Sequence, residues 1–184
     1  MERVGNVASR IEKANVLKDK SVELCNVLYS ATRDKLFREM DYPKHKVDDI
    51  FDLINGRAFK PVDWTLTGMK IVRIQNLKHP ELPYNYFNEP VESKYIIRKD
   101  DVLFAWSGQI VSLGAHVWND EDAILNQHIF NVKPKVPMLS RFIQDGFNAL
   151  IDEMKTQVRG LEMFNIRKQE LGKLLLTVNP LDEK

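Results

Sequence analysis

The chain has 184 residues, with 27 Lys+Arg against 26 Asp+Glu and 43% hydrophobic residues. That is room for one medium domain with an appendage, and a net charge of +1 excludes a histone-like protein that holds nucleic acid by bulk charge, while leaving room for a local basic face. The single cysteine, Cys25, excludes an intramolecular disulfide and a Cys-rich zinc site and suits a reducing, cytoplasmic setting; no apolar run is long enough to span a bilayer, and charges at Glu2, Arg3, Arg10, Glu12 and Lys13 interrupt the apolar stretch that a signal peptide needs.

Residues 3–39 contain no proline and only Gly5, and they are rich in Ala, Leu, Glu, Lys and Arg, which favour helix. Apolar residues recur at Val4, Val7, Ile11, Ala14 and Leu17, and again at Leu24, Val27, Leu28, Ala31 and Leu36, with a hydrophilic break at 18–21. This spacing predicts one amphipathic helix, stopped by Asp41-Tyr42-Pro43. A helix of ~36 residues reaches roughly 54 Å at 1.5 Å per residue, more than the width of a small domain. It is therefore expected to project, with an apolar stripe that needs a partner.

From residue 46 the pattern changes to short β-like runs at 70–74, 102–106, 115–118 and 129–132, separated by Gly, Pro and Asn. Residues 78–95 read as a long surface loop, and Trp106-Ser107-Gly108 as a turn. Leu139, Phe142, Ile143, Phe147, Leu150, Ile151 and Met154 follow the i, i+3, i+4 rule of an amphipathic helix. A short helix around 166–173 leads into a last apolar run at 174–178 before Pro180. The expected fold class is α+β: a long projecting helix, then a twisted, mostly antiparallel sheet domain with C-terminal helices. The boundary falls between 1–42, a long coiled-coil-like helix, and 43–184.

Motifs for common chemistry are absent. There is no G-x-x-x-x-G-K-[ST] loop and no G-x-G-x-x-G fingerprint, nor an Asn/Asp-Pro-Pro-aromatic run of the kind amino-methyltransferases use. His45, His79, His116 and His128 lack metal-ligand spacing. Glu92-Ser93-Lys94 and Glu153-Met154-Lys155, with Asp63 upstream, fit the acid-x-Lys pattern of metal-dependent nucleases, but such triplets arise by chance in a chain this charged. No cofactor is expected.

The stretch from Asn55 to Lys78 carries five basic residues (Arg57, Lys60, Lys70, Arg73, Lys78) against Asp63. Arg bonds guanine O6 and N7 bidentately, Gln and Asn do the same to adenine N6 and N7, and Lys suits phosphates. The residues alone suggest a binding surface, or a polar loop between strands; if the partner is DNA, the candidates for base or phosphate contact are Arg57, Lys60, Arg73, Gln75, Asn76 and Lys94, followed by Gln109 and Gln127, while Asn126 and His128 also read as structural. Two other readings stay open: a nuclease using Asp63, Glu92 and Lys94, and a protein-interaction adaptor built on the long helix.

Five segments, in order, resemble one family. Residues 56–60 with Trp64 and 68–77 look like the opening of a target-recognition domain from the specificity (S) subunit of type I restriction–modification systems. Residues 100–108, 123–134 and 174–183 resemble later segments of that domain, with Asn179 in place of one proline of the closure. Residues 11–15 and 36–40 look like the spacer helix that precedes it. The resemblance implies a subunit without an active site, one that reads double-stranded DNA. It further implies a modification (methyltransferase) subunit that methylates adenine at N6, and a restriction (motor-nuclease) subunit that cleaves using ATP. A full subunit has two recognition domains and two helices, so the chain is expected to be a half subunit or a fragment. It is also expected to homodimerise through Val4, Val7, Ile11, Leu17, Leu24 and Leu28, or to dock into the modification subunit.

Overall fold

The computed structural model describes residues 2–39, 41–109, 112–157 and 163–178. It divides into two compact units, Met1–Met40 and Asp41–Lys184. The first is helix α1 (Glu2–Asp34), closed by a π-helical turn at Lys35–Glu39. Ser21 and Thr32 donate their hydroxyls back to the Leu17 and Leu28 carbonyls (2.9 and 2.8 Å), so the hydrophilic break at 18–21 does not interrupt the helix. Val7, Ile11, Leu17, Leu24 and Leu28 are all exposed; the Val4 side chain lies outside the described residues. One expectation needs correcting. Val16 and Val27 are exposed too, and Val16, nine positions beyond Val7, sits about 2.5 turns on at 3.6 residues per turn. Apolar side chains therefore occupy opposite faces of α1 rather than a single stripe.

The second unit holds β1 (Lys44–Lys46), α2 (Val47–Ile50), β2 (Phe51–Asn55), β3 (Met69–Val72), α3 (Ile74–Lys78), β4 (Asn85–Phe87), β5 (Ile96–Ile97), β6 (Val102–Ala105), β7 (Ser107–Gln109), β8 (Gly114–Val117), β9 (Ala123–Leu125), β10 (Ile129–Pro134), α4 (Ser140–Gln157), β11 (Met163–Asn165), α5 (Lys168–Lys173) and β12 (Leu175–Thr177). The fold is α+β. One four-stranded sheet runs β2-β10-β6-β8, antiparallel throughout. A second, β4-β3-β9-β5, is antiparallel except for the parallel pair β3–β9. Two-stranded ladders join β1 to β12 and β7 to β11.

α4 covers the first sheet. Its Phe147, fully buried, meets the rings of Phe51 in β2 and Phe104 in β6, each at 5.3 Å between centroids. Asn148 fastens the same helix to the edge strand: its Oδ1 accepts from Ala115 N (2.8 Å) and its Nδ2 donates to Ala115 O (3.2 Å). The second sheet uses both faces, as strand alternation dictates. Val72 and Leu125 turn toward Leu103 and Ile129 of the first sheet, while Ile71 and Ile124 turn the other way, under Phe59, Met69, Val91 and Tyr95. The loops on that side are thus clamped to the core by their own aromatic residues.

Two further expectations change. Residues 78–95 are not all loop, because Asn85–Phe87 pairs with β3 in the register Met69↔Phe87, Ile71↔Asn85. Ser107-Gly108 is not a turn but part of β7, opposite Phe164 and Asn165.

His116, half-buried on β8, sits opposite Leu103. Burial first, and then the Lys78 charge, holds its imidazole below the ordinary 6.5. The unfolded chain therefore binds the proton more readily, so stability falls as pH drops below about 6.5 toward the folded value. The urea midpoint should fall between pH 7.5 and 5.5, and H116Q should flatten part of that slope.

Candidate nucleic-acid interface

Three strand ends meet at one point. Arg57 N donates to Leu125 O (2.8 Å), Gly56 N to Ile129 O (3.2 Å), and Asn126 N to Val72 O (3.1 Å). The residues that leave β2, β3 and β9 are thereby gathered beside one another. Because β3 and β9 are parallel, their carboxyl ends open on the same side, where open sheets with parallel strands place ligands. A cleft of about 240 Å³ lies there, lined by Phe59, Trp64, Arg73, Ile74, Gln75, Asn126, Gln127 and His128.

The candidate residues separate into three groups. Arg73, Gln75 and Gln127 line the cleft together. Arg73 Nη1 donates to Asn85 Oδ1 (3.3 Å), and its guanidinium lies 5.7 Å from the Trp64 ring centroid. Gln75 is exposed on the first turn of α3, and Gln127 Nε2 lies 3.2 Å from His128 Nε2.

Arg57 and Lys60 follow β2 at the margin. Arg57 is spent on aromatic faces, 4.4 Å from the Phe87 centroid and 5.0 Å from Phe59. Lys60 is exposed, and its backbone N–H donates to Asp63 Oδ2 (2.7 Å), closing the 3-10 turn Pro61–Asp63.

The remaining candidates do not join the cleft. Asn76 is 1% exposed. Its Oδ1 accepts from Arg73 N (3.2 Å) and its Nδ2 donates to Leu82 O and Pro83 O (3.4 Å each). The expectation of a base contact from Asn76 is therefore corrected: the amide shapes the start of α3 and the loop after it. Lys94 Nζ pairs with Glu92 (2.6 Å) and lies 4.8 Å from the Tyr95 ring; the Glu92 hydrogen bond raises its pKa. Gln109 is exposed on β7.

Lys70, in the same basic stretch, is neutralised by Glu121 and Asp120 (2.9 Å each). Hydrogen bonds to Glu121 and then Asp120 drive its pKa far upward, and the Lys70 bond holds the Asp120 carboxyl down. The three groups of the nuclease reading are thus engaged locally: Asp63 with the Lys60 backbone, Glu92 with Lys94. Among the described residues no cluster of three His, Cys, Asp or Glu side chains is arranged to hold a metal ion.

Sequence reasoning named Trp64 only as part of the family resemblance and passed over Asn85. Trp64 is 39% exposed, a large aromatic left open beside Val62 and Leu66 in the loop between Pro61 and Gly68. Asn85 carries no signal in the sequence, because only the register of β4 brings it to Arg73.

The cleft on this sheet module thus joins a guanidinium, amides and aromatic rings, groups that can bond and stack on the edges and faces of bases. The family model for the type I restriction modification DNA specificity domain matches residues 39–184, and the chain belongs to that family.

Solved structures share the fold. An HsdS subunit from Thermoanaerobacter tengcongensis matches with a TM-score of 0.65 at 14% identity, over 97% of this chain and 45% of that one. A structure described by complex assembly and conformational transition of the type I R-M system matches at 0.69 and 15%, over 97% and 46%. The type I S subunit from M. genitalium matches at 0.53 and 16%, over 78% and 36%. The chain thus spans less than half the length of these proteins. No curated protein sequence matches it.

Proposed function

We propose that this chain is a sequence-specific reader of double-stranded DNA within a type I restriction–modification complex. In this reading it carries no catalytic residues. It directs adenine-N6 methylation by a modification subunit and ATP-dependent cleavage by a restriction subunit, in the cytoplasm. Residues 43–184 are the reading domain and 1–42 the spacer. The exposed apolar side chains of α1, Val7, Ile11, Leu17, Leu24 and Leu28 among them, support pairing with a second copy, since exposed apolar surface of this extent seeks cover and a twofold contact satisfies both copies at once. Two identical readers would then recognise identical half-sites in inverted orientation. The observation that carries the proposal is the family match over 39–184, which spans the whole cleft.

Selection of bound sites from a random duplex pool, with the modification subunit present, tests it. A defined target is the expected result. Recovery of no preferred sequence, or methylation or cleavage by the purified chain unaided, would overturn it.

Arg73, Gln75 and Gln127, which line the cleft, are the proposed base contacts, and Lys60 and Gln109, outside it, the proposed backbone contacts. Arg73→Ala should cost about 1–3 kcal/mol on the selected site and much less on unrelated duplex. Lys60→Ala should weaken all sequences alike and lower the salt slope by about 1. Arg57→Ala, by contrast, should show its loss mainly as lower stability, about 1 kcal/mol, because its guanidinium is held by Phe87 and Phe59. Competition binding at two salt concentrations, beside urea melts, separates the three.

A further inference from the structure

Arg73 is held in a fixed orientation. Asn85 stands in β4 directly opposite Ile71, and Ile71 precedes Arg73 by two residues. The ladder that pairs them therefore sets the Asn85 amide beside the Arg73 side chain. Asn85 Oδ1 takes one N–H of Nη1 at 3.3 Å, leaving the other Nη1 hydrogen and both of Nη2. The guanidinium carbon also lies over the Trp64 ring, 5.7 Å from its centroid. A side chain held by these two contacts is less free to follow a moving phosphate than an exposed lysine. It suits instead a rigid, planar partner with two acceptors side by side. In the major groove that partner is guanine, through O6 and N7. The cleft agrees, since Phe59, Trp64 and Ile74 give it apolar walls that favour a base edge over a hydrated phosphate.

We propose that Asn85 and Trp64 are positioning residues that hold Arg73 to read a guanine in the target. The inference rests on the DNA-reading function above and adds the base and the two supports.

The test uses the full chain with the modification subunit present. Sites are selected from a random duplex pool by the wild type, N85L, N85D and W64L, and each selected site is resynthesised with 7-deazaguanine at every guanine in turn. For the wild type, one 7-deaza substitution should weaken binding about tenfold, because it removes one acceptor, N7, from a charged donor. N85L and W64L should lose most of that penalty and accept other bases at that position, with the salt slope unchanged. N85D, which keeps the acceptor oxygen, should retain the preference. Urea midpoints accompany every variant, and N85D serves as the folded comparison for N85L. If the N85L protein keeps the full guanine preference, or no 7-deaza position affects the wild type, the inference fails while the DNA-reading function stands. If the wild type selects no sequence at all, both fail. A uniform loss on every duplex in N85L would assign Asn85 a purely structural role and overturn the proposal.

Discussion

Gly56→Ala is expected to destabilise the second unit by about 3 kcal/mol, at the upper end for overpacking, and to abolish target selection. An added Cβ would lie 2.2 Å from Asn126 O, 2.4 Å from Asn126 C and 2.5 Å from Leu125 O. All three are backbone atoms, so no rotamer change relieves the clash. The end of β2 and the end of β9 would have to part. That parting would break the Arg57 N to Leu125 O bond and the Arg57–Asn126 bridge, which hold the loop bearing Phe59 and Trp64 beside the residues bearing Gln127 and His128. Stability and DNA selection should therefore fail together, unlike in Arg73→Ala, which should melt normally. Urea denaturation beside competition binding distinguishes the two patterns.

Phe147→Ala is expected to cost about 3–5 kcal/mol. The ring is fully buried and fills the space between α4 and the first sheet, edge-on to Phe51 and tilted against Phe104. Removing it takes away the buried area, two ring–ring contacts worth about 0.5–1.5 kcal/mol each, and the filling of the cavity left behind. α4 would stay tied to β8 by Asn148, so the loss should fall first on the contacts of α4 around position 147. Hydrogen exchange should show protection lost first along α4, and the thermal midpoint should drop sharply. Phe147→Leu should recover much of the loss, because volume-conserving swaps in cores are tolerated best.

What could be read from the sequence follows from where each element obtains its stability. β3, β6, β8, β10 and α4 were legible because their apolar patterns match the faces they bury; Val102, Leu103, Phe104 and Ala105 are all buried. β4 was not, because Asn85-Tyr86-Phe87 is polar at one end and stands among Pro80, Pro83 and Pro90. Only the pairing with β3 makes it a strand. β7 was hidden in the same way, since Ser107-Gly108-Gln109 has no β-forming residue and takes its state from β11. In the site, residue type announced the chemistry but not its use. Arg57 and Arg73 are the same side chain sixteen residues apart, yet one is consumed by Phe87 and Phe59 and the other lines the cleft. Asn76 looked like a donor for a base and is instead buried, closing a helix start. A side chain's partners are settled by long-range register, which one sequence does not display.

The segment between β2 and β3 enters the cleft beside Asn126 and leaves it where Met69 pairs with Phe87. Both ends are fixed to strands whose packing does not depend on Val62, Trp64 or Leu66, and Val62 and Leu66 are 85% and 96% exposed. Apart from Trp64 and Thr65, whose N–H is tied to Tyr86 O (3.0 Å), this segment is open to change. Substitutions at Val62 and Leu66 should therefore add or remove contacts around the bases read by Arg73, Gln75 and Gln127 while leaving the urea midpoint of the domain unchanged.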